Sequence, residues 1–174
     1  MSAERSLFGI ELKGDGVMSE EIEGVIGTVL VDCPQRNALE FVSFLRGNGM
    51  VFERGKGYWE DKFYWLIKFK EEYVCFLLIG GEETRDGSWA FWSDDSGSNW
   101  FEDFPLDESL KEIAWKNVDF CANCGGECSP GKGKVIFDRG FNNVCRTVFK
   151  FVNPDDGELA CMKELVRMRT AKLC

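Results

Sequence analysis

The spacing of apolar positions changes from helical to strand-like along the first half of the chain. Over residues 34–49, apolar side chains recur every three or four positions, Pro34 suits a first turn, and Gly47 and Gly49 provide a stop, which together predict a helix. Alternation with a period of two then predicts four strands at residues 50–53, 63–70, 73–79 and 89–92. Before this helix, residues 7–12 and 25–31 read as short strands around an acidic segment.

The second half of the chain predicts two further helices and a hairpin. A helix is expected over residues 106–117 with Pro105 at its entry, and strands are expected at 133–137 and 146–152, joined by a loop over 138–143. A last helix is expected to begin at Asn153, which can cap it, followed by Pro154. Its predicted buried side chains are Leu159, Cys161, Met162, Leu165 and Val166.

A helix followed by a meander of strands predicts the α+β class, with an antiparallel sheet flanked by helices. We expect residues 1–118 to form an α+β domain with an aromatic-rich sheet. Residues 119–174 then form a cysteine module of a hairpin and a helix. The two parts are expected to pack together as one compact unit, since 174 residues suit a single domain.

Four of the eight cysteines lie close together as Cys121-x2-Cys124-x3-Cys128-x16-Cys145. A Cys-x2-Cys turn directs two sulfurs at one point, and four thiolates suit a tetrahedral Zn²⁺ ion. Four protein ligands leave no open coordination position, so the predicted zinc is structural. The remaining cysteines, Cys33, Cys75, Cys161 and Cys174, have no ligand spacing and are expected to be buried or terminal thiols.

Other chemistries for the same cysteines stay open. They could be free thiols in a glycine-rich loop, ligands of an iron–sulfur cluster, or a redox pair at Cys121 and Cys124. Gly126-x4-Gly131-Lys132 resembles part of a phosphate-binding loop, but Gly133 stands where Ser or Thr would reach Mg²⁺. Nucleoside triphosphate binding is therefore rejected.

Composition excludes several classes of function. The chain contains no histidine, which removes the commonest general base and every site that needs imidazole. A net charge of −9 argues against nucleic acid or an anionic membrane as the main partner. The N-terminal residues do not read as a signal peptide, and the longest apolar run, 74–79, is too short to cross a bilayer. We therefore expect a cytoplasmic protein.

Large aromatic side chains are concentrated in the middle of the chain, on both faces of the predicted strands. If helices cover one face only, the other face presents an apolar surface that can bind a planar or cationic small molecule. The rings expected to be exposed, with the acidic residues expected to orient a ligand, are Trp59, Tyr64, Trp92, Trp100, Asp94 and Asp95. The alternative is that the rings simply fill the core.

The C-terminal third resembles the tail of a group of small uncharacterised bacterial proteins, mainly from clostridia-like organisms. The resemblance rests on the segments 121–132 and 141–145, on Asn153-Pro154-Asp155 and on a following helix with Cys161. It implies a metal or thiol role and no particular activity. The order of helix and strands before it is similar to that of frataxin-like folds.

These observations favour a non-enzymatic binding protein, with a small molecule or a protein as its partner. An enzyme that uses carboxylates or a reactive cysteine is the first alternative, and a structural or interaction subunit is the second. With no histidine available, we lean away from an enzyme.

Overall fold

The computed structural model describes residues 21–55, 63–80, 87–95, 100–102, 104–122 and 129–174. Within these ranges the elements are α1 (Ile22–Val29), α2 (Asp32–Gly47), β1 (Val51–Arg54), β2 (Phe63–Phe69), β3 (Glu72–Ile79), β4 (Trp89–Ser93), a 3₁₀ turn (Trp100–Glu102), α3 (Glu108–Lys116), β5 (Val118–Phe120), β6 (Lys132–Ile136), β7 (Arg139–Val152) and α4 (Asp156–Lys172). The predicted α+β class is confirmed. No helix in the described ranges is long and apolar enough to cross a membrane.

One antiparallel sheet contains all seven described strands, in the order β1-β2-β3-β4-β7-β5, and β6 also pairs with β7. The two central residues of the β2–β3 turn, Lys70 and Glu71, both have positive φ, as a two-residue hairpin turn requires. The strand predictions over residues 50–92 are confirmed to within two residues at each end. The predicted helix at 34–49 is confirmed as α2.

The four helices of the described ranges pack on one face of the sheet, which we call the core face. Residues from each of the four helices belong to the same buried cluster as alternate residues of the central strands. On β4, Trp89 and Phe91 face this core, and the Phe91 ring lies 5.6 Å from that of Phe41 in α2 and 5.8 Å from that of Phe151 in β7. Strands from both sides of residue 118 therefore share one core.

Helix α4 begins two residues later than predicted. Its cap is Asp155, whose carboxylate accepts a hydrogen bond from the Glu158 amide at 2.8 Å, while the Glu158 carboxylate accepts one from the Asp155 amide at 3.1 Å. Asn153 instead accepts a hydrogen bond from the Trp89 amide through its side chain. The predicted buried face of the helix is confirmed.

Two element predictions are wrong. Residues 25–31 were expected to form a strand, but α1 occupies most of this range, because Ile22, Val25 and Ile26 together form one buried helical face. The predicted loop at 138–143 is mostly strand. The hairpin turn is shorter, with Phe137 and Asp138 as its two central residues.

Strand β7 has 14 residues and pairs with two strands along the same edge. Its final residues pair with β4, from Ala90 opposite Val152 to Trp92 opposite Lys150. Its first residues pair with β6, as far as Lys132 opposite Val144. Residues 145–149 of β7 therefore lie between the end of β4 and the start of β6. We call this region the seam.

Candidate functional site

The face of the sheet opposite the helices carries its own apolar cluster, and we call it the helix-free face. Its buried members are Tyr64, Leu78, Ala90 and Trp92, with Leu66 and Phe76 packed against them. All six residues come from strands, and no helix in the described ranges contributes to the cluster. The register forms two cross-strand rows: Tyr64, Leu78, Ala90 and Val152 in one, and Leu66, Phe76, Trp92 and Lys150 in the other.

The expectation that Tyr64 and Trp92 are exposed is wrong. Their exposed fractions are 8% and 7%, and the Tyr64 ring lies so close to Gly55 that a Cβ atom there would overlap it. Cross-strand packing contributes to this burial, because Tyr64 lies opposite Leu78 on β3, and Trp92 lies between Phe76 on β3 and Lys150 on β7. Trp59 lies outside the described residues, and Trp100 begins the 3₁₀ turn.

The accessible part of the helix-free face is a strip over β2 and β3, formed by Leu66, Lys68, Tyr73 and Phe76, which we call the aromatic strip. The Tyr73 and Phe76 rings stack at 6.3 Å between centroids, and Tyr73 is 37% exposed. Lys68 Nζ lies 4.8 Å from the Tyr73 ring centroid. These rings were correctly expected to lie on this sheet, but the strip centres on side chains that the sequence did not single out.

Two lysine ammonium groups lie over rings of the helix-free face. Besides Lys68 over Tyr73, Lys150 Nζ lies 5.0 Å from the Trp92 ring centroid. Lys68 also forms an ion pair with Glu53 Oε2 at 2.6 Å, and the hydrogen bond to Glu53 raises its pKa. Because these ring faces already carry cations of the protein, the arrangement suits an anionic ligand better than the cationic ligand expected from the sequence.

The acidic pair Asp94 and Asp95 follows β4 directly. The Asp94 amide donates a hydrogen bond to the Val74 carbonyl at 3.0 Å, and Asp95 is only 1% exposed. Both carboxylates influence Cys75, a thiol of the main core whose pKa is raised well above its ordinary value, first by burial and then by these two charges. Asp95 thus lies inside the protein and does not present a freely accessible carboxylate to a ligand.

A serine hydroxyl fills the seam, where β7 has no strand partner on the edge that it shares with β4 and β6; its opposite edge pairs with β5. Ser93 Oγ accepts a hydrogen bond from the Phe149 amide at 3.2 Å and donates one to the Thr147 carbonyl. The residue between them, Val148, is fully buried with a φ of 55°. A β-branched residue in this left-handed region is sterically strained, so the surrounding contacts must hold it there.

Two of the four predicted zinc ligands lie on neighbouring segments, because Cys121 directly follows β5 and Cys145 lies on β7. The Cys121 amide donates to the Asn143 carbonyl at 2.8 Å, the Asn143 side-chain amide donates back to the Cys121 carbonyl at 3.1 Å, and Cys145 follows two residues later on β7. Cys124 and Cys128 lie outside the described residues. Among the residues described, no three Cys, Asp or Glu side chains are grouped closely enough to hold a metal ion.

The other cysteines divide into buried and exposed thiols. Cys75 and Cys161 are buried, and burial raises the pKa of Cys161 to about 12, so neither suits a reactive thiolate. Cys174 is exposed, and its sulfur lies 3.4 Å from Lys70 Nζ. Cys33 in the first turn of α2 is also exposed, which corrects the expectation that it is buried.

A separate cleft lies where the N-terminal ends of α2 and α4 meet the C-terminal end of α3. It encloses about 710 Å³ and includes Cys33, Arg36 and Lys116 in its lining. Arg36 forms an ion pair with Asp156 at 3.0 Å, and the buried Asn37 donates a hydrogen bond to the Pro154 carbonyl at 2.9 Å. These side chains tie α2 to α4, so their contacts have a structural role.

Comparison of this sequence with protein-family models and with curated proteins gives no match, and comparison with solved structures gives none. Function is therefore inferred from the geometry of this chain.

The residues that sequence reasoning missed are those of the aromatic strip and Lys150. Alternation alone places Leu66 and Phe76 on strands, but only the register shows that they are direct neighbours. A correct pairing of β2 with β3, deduced from the two-residue turn, was the signal that could have found them.

Proposed function

We propose that this protein is a non-enzymatic binding protein that holds a small anionic ligand against the aromatic strip. The observation that carries the proposal is that the described helices lie on the core face, which leaves Leu66, Tyr73 and Phe76 partly exposed on the other face. Lys68 lies over the Tyr73 ring, and Lys150 lies over the Trp92 ring on the same face. The ligand chemistry that fits is a planar or aliphatic body with a carboxylate. The body would pack on the rings and the carboxylate would pair with an ammonium group.

The positive charge of this strip is local, because the whole chain carries a net charge of −9. Two lysines on an acidic protein can orient an anion near the surface. The effect of each charge is screened beyond about a Debye length. The affinity for a carboxylate ligand should therefore weaken as the salt concentration rises.

The test is a fluorescence titration of the full-length protein with aromatic and aliphatic carboxylates, together with their neutral amides. Binding should change tryptophan emission, since Trp92 lies in the same cluster, and it should do so without turnover of the ligand. Phe76→Ala should weaken carboxylate binding about tenfold, which corresponds to about 1.4 kcal/mol. Val135→Ala, at a 46% exposed apolar position on β6, is the matched control and should bind normally.

Four outcomes separate the candidate functions. Equal binding of carboxylates and amides would show that the lysines do not take part in binding. No response to any compound would contradict the small-ligand proposal. A stable complex in sizing chromatography, disrupted by Phe76→Ala, would instead support a protein partner on the same strip. Turnover of a ligand would support an enzyme.

We also propose that Cys121, Cys124, Cys128 and Cys145 hold a structural Zn²⁺ ion. The support is their spacing, together with the hydrogen bonds that join Cys121 to Asn143, two residues before Cys145 on β7. Metal analysis of freshly purified protein combined with thiol counting tests this proposal. We expect one zinc per chain, with the four cluster thiols protected in addition to the buried Cys75 and Cys161. Protein without zinc or iron, in which the four cluster thiols are titratable, would overturn it.

Replacing a predicted ligand gives a second test of the zinc site. Cys124→Ser should abolish metal binding and lower stability strongly, because binding of a structural metal contributes to folding. Cys33→Ser is the control, since Cys33 is exposed in α2 and has no ligand spacing. It should leave the metal content and the stability unchanged.

A further inference from the structure

A second cleft lies on the β6–β7 hairpin, away from the aromatic strip. It encloses about 530 Å³ between the 3₁₀ turn and the two strands of the hairpin. The side chains that give it chemical character are Phe101, Glu102, Lys134 and Phe141, of which the first two come from the turn. Its wall therefore combines two aromatic rings with one amine and one carboxylate.

The amine in this cleft, Lys134 Nζ, has an unusual environment for a lysine on a strand. It lies 5.9 Å from the Phe101 ring centroid, and Phe101 itself is 1% exposed. Within the described residues, Lys134 makes no hydrogen bond or ion pair, although an ammonium group has three donors to satisfy. Lys132, two residues earlier on the same strand, is exposed to solvent.

Partial burial favours the neutral form of this amine. Burial lowers the pKa of Lys134, the charge of Asp95 acts in the opposite direction, and the charge of Lys132 lowers the pKa to a smaller extent. A lysine becomes more nucleophilic in proteins when it is desolvated. Lys134 therefore presents an amine with a lowered pKa, without a hydrogen-bond partner among the described residues, in a cleft large enough for a small ligand.

We propose that Lys134 is a nucleophilic amine that forms an imine with an aldehyde or ketone group on a small molecule bound in this cleft. The Lys134 nitrogen bonds to the carbonyl carbon, the carbon–oxygen bond breaks, and the oxygen leaves as water with the two amine protons. No oxidant or reductant is needed. The half-buried Phe141 ring favours a planar, apolar body for the carbonyl compound, and the Glu102 carboxylate can carry a proton during loss of water.

The test is competitive labelling of the full-length protein with a limiting amount of benzaldehyde at pH 7, with cyanoborohydride present to reduce each imine to a stable amine. Peptide mapping by mass spectrometry then gives the rate at every lysine. We expect Lys134 to be labelled several times faster than Lys132. Lys134→Arg should remove this fast site, whereas Lys132→Arg should retain it. Labelling of Lys134 at the same rate as Lys132, or more slowly, would overturn the proposal.

The charged groups around the amine provide a second test, because removing each one should shift the pKa of Lys134 in a known direction. Those that face Lys134 are Glu102 from the turn, Asp95 from the segment after β4, and Lys132 on its own strand. Lys132→Gln removes a like charge, so it should raise the pKa of Lys134 and slow its labelling at pH 7. Asp95→Asn removes the opposing charge and should speed the labelling. Rates that move in the opposite directions, in variants with unchanged circular dichroism, would contradict the proposal.

Discussion

Both faces of the sheet carry aromatic residues, but the faces differ in what covers them. On the core face, Phe91 packs between the rings of Phe41 and Phe151, and helices complete the enclosure. On the helix-free face, Phe76 is only partly buried and its ring neighbour is the exposed Tyr73. The same residue type therefore has a structural role on one face and remains available for binding on the other.

This difference shows that an aromatic-rich strand does not by itself indicate a binding site. On β4, alternate residues point to opposite faces, so Trp89 and Trp92 belong to different clusters. The position of the helices decides which cluster is closed, and the register decides which side chains of the other cluster lie side by side. Candidate ligand residues must therefore be chosen from the packing and not from residue type.

The largest effect should come from removing a ring on the core face. Phe91→Ala should lower the free energy of unfolding by about 3–5 kcal/mol, because it leaves a cavity among helices that cannot close around it. Phe76→Ala should cost only about 1 kcal/mol, since half-buried positions lose less on truncation. Urea denaturation of both variants measures this difference. Equal losses would show that the two faces are equally closed.

A second, smaller effect is expected at the seam, where β7 extends beyond the end of β4. Ser93→Ala leaves the Phe149 amide and the Thr147 carbonyl without the hydroxyl that bridges them. The expected loss is about 1–3 kcal/mol, since unsatisfied buried backbone groups are costly. Ser43→Ala, at an exposed position in α2, is the control. An unchanged denaturation midpoint for Ser93→Ala would show that the hydroxyl does not hold β7 in its strained conformation.

Much of this comparison was predictable from the sequence, and the failures have physical causes. Helix α2 and strands β1 to β4 follow directly from the periodicity, and α4 follows from its apolar face. The strand predicted at 25–31 was wrong because its apolar residues also fit a helical face that the core selects. The short β5 exists only because Val118 and Phe120 pair with β7, which no local pattern reveals.

The candidate site was less predictable than the fold. Its rings could be placed on strands, but burial of Tyr64 and Trp92 depends on cross-strand neighbours far apart in the chain. The cleft at Lys134 depends on the 3₁₀ turn meeting the hairpin across more than 30 residues. Contacts of this kind are set by tertiary packing and leave no mark in sequence spacing.

A third prediction weakens a helix on the core face and leaves the helix-free face untouched. Asp155→Ala removes the cap of α4 and should cost about 1 kcal/mol. Asp156→Ala is the matched control, because its carboxylate is 82% exposed and only pairs with Arg36 at the surface. Its cost should be smaller. Ligand titration of Asp155→Ala should give wild-type affinity, and a loss of affinity would mean that the two faces are coupled.

The smallest effect concerns pH and the ion pair that ties α1 to α2 on the core face. The hydrogen bond from Arg46 lowers the pKa of Glu23, against the opposing effect of burial. A carboxyl group whose pKa is lowered on folding stabilises the protein at pH values above its pKa in the unfolded chain, about 4.3. This stabilisation is lost as the pH falls through the pKa of the folded protein. Because the two side chains are 35% and 44% exposed, the contribution should stay below about 1 kcal/mol.

Glu23→Gln should therefore lower stability slightly at pH 7 and leave it nearly unchanged near pH 3, measured by urea denaturation at both values. Glu112→Gln is the control, because Glu112 is exposed on α3 and forms no ion pair within the described residues. Binding at the aromatic strip should be the same in both variants at pH 7, since α1 and α2 lie on the opposite face. A difference in stability that persists unchanged at pH 3 would mean that Glu23 acts through packing and not through its charge.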